Sequence, residues 1–348
     1  MGAKIISVSA DDITYYTLPG SSGELHRQAG SLDDTIFGST YKSVSPGVIN
    51  WQVTANAFFK GYAGYLCSIK KIGTSTVMTS EACTLVSGKT YQITSAIKRV
   101  VNRGVTLNVL DNAVNQNANV LNVDYLNGKV TFLPSYTVTG PVTITGAYFP
   151  LISLGSYMSF NLTQTAAAIK ASDLPSLQAN GGFDIFRSGG LREVNIQLPS
   201  IFVAADAWDT SITARSEYIL EINPDGAGAH SARGFFKLMD DKQSGNVGAL
   251  EEETLQFNLT VPQSLVTQLA SATPFGWTHA AGGPLPAAVK TLLTAWETES
   301  LVYVKYLPDG VAGWKGPAIV TNISLQGGAE SINQFTCAMQ GSGARTVI

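Results

Sequence analysis

Cysteine, histidine and charge are all scarce in this sequence, and each scarcity argues against a class of function. Among 348 residues there are three cysteines, Cys67, Cys83 and Cys337, with neither paired spacing nor an even count. That argues against a disulfide framework or a thiolate zinc site and leaves reduced, partly buried thiols. The three histidines, His26, His230 and His279, have no neighbour at metal-ligand spacing and read as solvated loop residues. Charged residues are 14% of the chain and the formal net charge is -3. The basic excess that grips phosphates is therefore missing. No uncharged apolar run reaches the roughly 18 residues that span a bilayer, and MGAKIISVSADD at the start has no long apolar core. A cytoplasmic, non-secreted product with no membrane segment is expected. Nucleophile elbow, phosphate-cradling loop and dinucleotide fingerprint are all missing, so neither catalysis nor a cofactor is expected.

What the chain does have is hydrophobic content, 45%, enough to bury a sizeable core in two or three domains, and a strong period of two. Trp51, Val53, Ala55, Ala57 and Phe59 alternate with Gln52, Thr54 and Asn56, and only Phe58 breaks the pattern. Val194, Ile196 and Leu198 alternate with Asn195 and Gln197; Leu255, Phe257, Leu259 and Val261 alternate with Gln256, Asn258 and Thr260. Val302-Val304-Tyr306 and Phe335-Cys337-Met339 repeat the signal. With 34 glycines, and prolines beside Gly or Asp, this reads as a mainly β chain of short strands and turns. One helix is predicted at 286–297, where Val289, Leu292, Leu293 and Trp296 share a face and Pro286 suits the first turn. A shorter one is predicted from Thr165 to Ala171.

Residues 84–149 carry strand signals around Val105-Leu107-Val109, Val130-Phe132 and Val142-Ile144, with a hairpin-type turn at Asn127-Gly128. They read as a small β domain inserted between a first segment, 1–83, and a second, 150–348, and as removable from its loop position. The flanking segments match in pattern. Setting Gly47-Val48 on Gly190-Leu191 is an offset of 143, and the same offset sets Trp51 on Val194 and Val53 on Ile196. Internal duplication is one explanation, and chance alignment of two alternating strands is the other.

Two acidic clusters, Asp33-Asp34 and Glu251-Glu252-Glu253, each precede a strand-like run. Solvated loops are the plain reading. Paired carboxylates for glycoside hydrolysis would need a sugar cleft, and no aromatic cluster flanks either run. A charged interface, or a lining that repels polyanions, is a third possibility, and it requires a ring.

Three segments carry a family resemblance. Residues 316–343, GPAIVTNISLQGGAESINQFTCAMQGSG, form a strand pair ending in Gly-x-Gly; residues 31–61 run from a D-D-T-x-F-G loop through P-G-x-x-x-W into a strand; and residues 245–262, GNVGALEEETLQFNLTVP, pass from acidic to alternating. Together and in order they resemble the major tail (tail tube) proteins of long-tailed bacteriophages, over about 28–66 and 156–346. The resemblance implies a tube-fold subunit that gives strands to a ring-wide barrel, with the insertion as a decorating domain on the outside of a non-contractile tail. Residues Gln52, Thr54, Asn56, Asn195, Gln197, Gln256, Asn258 and Thr260 would face the lumen, and the acidic loops at Asp33, Asp34, Glu251, Glu252 and Glu253 would lie between rings. The implied partners are copies of the chain itself, as a trimeric pseudo-hexameric or a hexameric ring in stacks. Tape-measure protein and phage DNA would occupy the lumen, and tail-tip and tail-terminator proteins the ends. The location would be the virion, assembled in the host cytoplasm. A receptor-binding or adhesion module and a carbohydrate-active enzyme on a β-scaffold are the alternatives.

Overall fold

The computed structural model describes residues 4–20, 22–33, 44–59, 67–157, 159–180, 182–201, 212, 214–224, 230–244, 252–260, 274–279, 285–328 and 332–348. The first segment supplies β1 (Ile5–Ser9), β2 (Tyr16–Thr17), β3 (Ser22–Asp33), β4 (Val44–Phe59) and β5 (Cys67–Ile72). Next come β6 (Thr76–Ser87), β7 (Thr90–Ile93), β8 (Asn108–Asp111), β9 (Val114–Asn115), β10 (Val120–Asp124), β11 (Lys129–Phe132) and β12 (Val142–Tyr148). The chain continues through β13 (Leu151–Tyr157), β14 (Ser159–Lys170), α1 (Leu174–Ala179), β15 (Phe186–Ile201), β16 (Glu217–Ile222), β17 (His230–Ser244) and β18 (Glu252–Leu259). It ends with β19 (Phe275–His279), α2 (Ala287–Thr298), β20 (Val302–Leu307), β21 (Trp314–Gly328), β22 (Asn333–Gly341) and β23 (Thr346–Val347). The protein is thus mainly β, with large antiparallel sheets.

Eight long strands lie side by side in the order β3-β4-β22-β21-β14-β15-β18-β17, every neighbour antiparallel. Alternation sorts their side chains onto two faces. On the inner face one transverse row reads Ala57, Phe335, Leu325, Leu162, Ile196, Phe257 and Leu238, all buried. At a bulge between Leu238 and Asp240 β17 turns a corner, and its first half joins β16, β5, β13 and β19 in a second layer. Tyr218, Leu220, Ile69 and Cys67 of that layer face the same core. The ring of Tyr218 meets Phe257 edge-on at 5.8 Å. Helix α2 closes the core as predicted, with Val289, Leu292, Leu293 and Trp296 buried.

The segment from Thr165 does not form the expected helix. Ala166, Ala167 and Ala168 lie in β14, where Ala166 and Ala168 pair with β15, while the pairing of β14 with β21 ends at Thr165. Pairing with β15 supplies what the local preference for helix leaves out of account. The short helix nearby is α1, set by a capping box between Asp173 and Ser176.

The segment from β6 to β12 forms its own seven-stranded sheet system around Phe132, Val109, Ile144 and Val130. It begins at Thr76, reaching back into the segment read as the first tube-like domain, because β6 pairs along its length first with β12 and then with β7. Asn127-Gly128 occupies the β10–β11 turn, with Gly128 at φ +60. This domain is docked rather than tethered. Val100 and Leu126 share a buried cluster with Ile219 and Phe235 of the second layer, flanked by Ile72, Phe149 and Leu151. Beside the cluster Arg233 donates to Leu126 O at 3.3 Å and pairs with Glu221 at 3.0 Å, and Lys70 reaches the same carboxylate at 2.6 Å. Ile219 and Phe235 alternate with core-facing Tyr218 and Phe236. The docked domain and the eight-stranded sheet therefore lie on opposite sides of the second layer.

Candidate functional site

The outer face of the eight-stranded sheet is a continuous polar surface. One row crosses all eight strands: Ser22, Asn56, Thr336, Ser324, Thr163, Asn195, Asn258 and Lys237. A second, two residues away, reads Phe58, Gln334, Gln326, Asn161, Gln197, Gln256 and Asp240. On the other side lie Glu24, Thr54, Ala338, Asn322, Thr165 and Glu193. Apart from Glu193, the charges in these rows fall on the two end strands, β3 and β17. Amides and hydroxyls bond to one another across strands: Asn195 Nδ2 donates to Asn258 Oδ1 at 2.7 Å, and Thr336 Oγ1 donates to Asn56 Oδ1 at 2.9 Å. Such cross-strand pairs fix the side chains and leave a surface of dipoles with little net charge.

The predicted lumen residues Gln52, Thr54, Asn56, Asn195, Gln197, Gln256 and Asn258 all lie on this one face, and Thr260 follows directly after β18 with its N–H on Phe235 O at 2.9 Å. Asn195 faces Asn258 and Gln197 faces Gln256, whereas β4 stands four strands from β15. Sequence reasoning read 316–343 as a strand pair but placed no lumen residue on β21, β22 or β14, which supply Thr163, Asn322, Ser324, Thr336 and Gln340. Their signal was the same alternation, as in N-L-T-Q-T at 161–165.

The acidic clusters fare differently. Asp33 is exposed at the end of β3 rather than in a loop, while Asp34 and Glu251 lie outside the described residues. Glu252 opens β18. Glu253, expected in a solvated loop, is 1% exposed within β18, because its position alternates in phase with Leu255 and Phe257. His26, His230 and His279 are likewise in strands, with His230 paired to His279 along β17–β19. Cys67 and Cys337 are buried, and burial pushes both thiols far above their ordinary range; Cys83, half-buried, is pushed up to about 12. These thiols are inert as nucleophiles at neutral pH. Among the described residues no cluster of His, Cys, Asp or Glu is placed to hold a metal, and no helix is long and apolar enough to cross a membrane.

Two of the segments singled out in the sequence meet in space. Trp51, from P-G-x-x-x-W, lays its indole against Gly341 and donates from Nε1 to Gly343 O at 3.0 Å, in the closing G-x-G. A Cβ on Gly341 would sit 2.1 Å from Trp51 Cε2. Only glycine allows that approach. The chain matches no protein-family model and no curated protein sequence.

Proposed function

We propose that this chain is the non-catalytic structural subunit of a phage tail tube, and that the polar face of its eight-stranded sheet lines the channel through which DNA passes. One observation carries this reading: a continuous, nearly uncharged polar face spans eight strands, and each of the two end strands keeps a stretch of edge with no partner among the described residues. On β3 that free side runs the whole strand, and on β17 it runs along the second half. A long open edge invites aggregation unless another strand covers it, and closure into a ring-wide barrel removes it. Amides and hydroxyls hydrate the wall without holding phosphates, since affinity for the DNA backbone comes mainly from Lys and Arg. The docked domain, beyond the second layer, would then decorate the outside.

The sheet also supports the internal repeat and, with it, a trimer. It divides into two quartets, β3-β4-β22-β21 and β14-β15-β18-β17, and each has its strands in the chain order first, second, fourth, third. The leading hairpins match in size, with strands of 12 and 16 residues in both. Asn56 and Asn195 share a transverse row, whereas the sequence offset of 143 sets Asn56 on Pro199, four residues further along β15. Equivalent positions thus shift by four residues for every four strands. A closed barrel with that stagger has strands tilted by about 35°, inside the usual range. Three chains give six quasi-equivalent quartets and a barrel about 45 Å across between backbones, enough for a DNA duplex after side chains are allowed for. Six chains would double the diameter and leave a channel far wider than its cargo. Negative-stain imaging of the purified protein at high concentration tests the reading. Stacked rings or tubes are expected; discrete particles would instead favour an adhesion module or an enzyme.

A further inference from the structure

Resting on the tube reading, the register of the joint between copies can be worked out from the joint inside one chain. Within the chain the quartets meet where β21 pairs with β14, and there Ile323 stands opposite Gln164 and Asn322 opposite Thr165. The joint between copies would bring the free side of β17 against β3. With eight alternating strands per chain, β3 and β17 run in opposite directions, so this joint is antiparallel like every other. The four-residue shift between quartets carries Ile323 of β21 onto Asp241 of β17, and carries Gln164 of β14 back onto Arg27 of β3. It likewise carries Asn322 onto Asp240 and Thr165 onto Gln28.

We infer that neighbouring copies are clasped by β3 of one against β17 of the next, with Arg27 opposite Asp241 on the core side and Gln28 opposite Asp240 on the channel side. Face parity agrees. Arg27 pairs across its hairpin with buried Trp51, and Asp241 pairs with buried Leu255, so both belong to the core-facing set. Charge agrees as well. Arg27 and Arg345 both stack on Trp314, at 5.0 and 5.4 Å from the ring centre. Nε and Nη1 of Arg345 are buried without a hydrogen-bond partner. Neither guanidinium has a carboxylate partner among the described residues. Two cations share one indole beside this edge, and an anion brought next to them by a neighbouring copy would offset their repulsion. The second half of β17 carries the acids Asp240 and Asp241, and Glu253 lies on the adjoining strand. At the joint inside the chain the same core-side position is held by Gln164, polar and fully buried, bonded to Trp277 Nε1 at 3.3 Å.

Cross-linking and charge exchange in the full-length protein test the clasp. Directly opposed antiparallel positions have the Cα separation a disulfide needs. Oxidation of the Gln28→Cys/Asp240→Cys variant should therefore give a covalent ladder that stops at three chains, with the wild type as the thiol background. Arg27→Glu and Asp241→Arg alone should each raise the concentration for half-assembly by at least about tenfold, and the double exchange should restore it. Thermal melting of each variant separates lost assembly from lost folding. If the wild type forms rings while the cysteine pair stays uncross-linked and the single charge variants assemble normally, the clasp is wrong and the tube survives. If the wild type forms no rings under any condition, the tube reading fails and the clasp falls with it.

Discussion

Replacing Gly341 by alanine is the sharpest probe of how the core is assembled. The added Cβ would lie 2.1 to 2.5 Å from Cε2, Cδ2 and Nε1 of Trp51, about 1 Å or more inside an ordinary contact. The indole has no easy retreat. It is 3% exposed, its Nε1 is bonded to Gly343 O, and Gly316 approaches from another side, where a Cβ would lie 2.9 Å from Trp51 Cζ2. Overpacking of this kind costs about 1–3 kcal/mol, and displacing the indole adds about 1 kcal/mol for the lost hydrogen bond. A loss of roughly 2–4 kcal/mol should lower the melting temperature by roughly 5–10 °C in a core of this size. Urea denaturation followed by tryptophan fluorescence reads the change directly, with Gly88→Ala as a control, since nothing lies within 4 Å of a Cβ there although its φ of +52 adds some backbone strain. A Gly341→Ala protein within about 0.5 kcal/mol of wild type, or no worse than the control, would show that Trp51 and the closing glycines are not the tight junction described.

Three further outcomes follow from the structure. Excising residues 76–148 with a short linker should give an insoluble protein, because it uncovers Ile219 and Phe235; the same deletion with Ile219→Thr and Phe235→Ser should be soluble and still assemble, and if the plain deletion is equally soluble the docking is energetically empty. Asp111 accepts from Tyr136 Oη, Thr139 N and Gly140 N at 2.7 to 2.8 Å; burial pushes its carboxyl up, but those bonds outweigh it and hold it below the usual range. Its stabilisation is therefore complete above the unfolded value near 3.9 and is lost as pH falls through the lower folded value, so Asp111→Asn should destabilise the inserted domain by about 2 kcal/mol at pH 7 and by less in acid, as acid-to-neutral melting curves would reveal. Arg192 donates to the carbonyls of Trp296 and Glu297 at the end of α2 and stacks on Trp296 at 5.3 Å; Arg192→Ala should cost about 1–2 kcal/mol in thermal melts, and an unchanged melting temperature would remove it as a helix cap.

Much of the sheet was legible from alternation alone. β4, β15 and β18 show their faces in sequence because one face is buried and the other is not, and α2 shows its stripe for the same reason. What stayed hidden depends on pairing over long separations. The AAA of 166–168 prefers helix in isolation, and only pairing with β15, where Ala166 meets Arg192 and Ala168 meets Ser188, makes it strand. Glu253 read as loop because three acids in a row usually are; its burial follows from register, which local composition does not encode. The polar rows across β14, β21 and β22 were present as short alternating runs, but nothing in one strand says which others lie beside it. The offset of 143, set against the observed rows, gives the stagger on which the proposed barrel rests.

The central claim is tested most directly by rotational symmetry in averaged end-on views of assembled rings. A trimer of duplicated subunits predicts three-fold density with six wall sectors of two alternating shapes and a channel about 45 Å across between backbones. Six identical sectors, each a whole chain, around a channel of twice that width would contradict it.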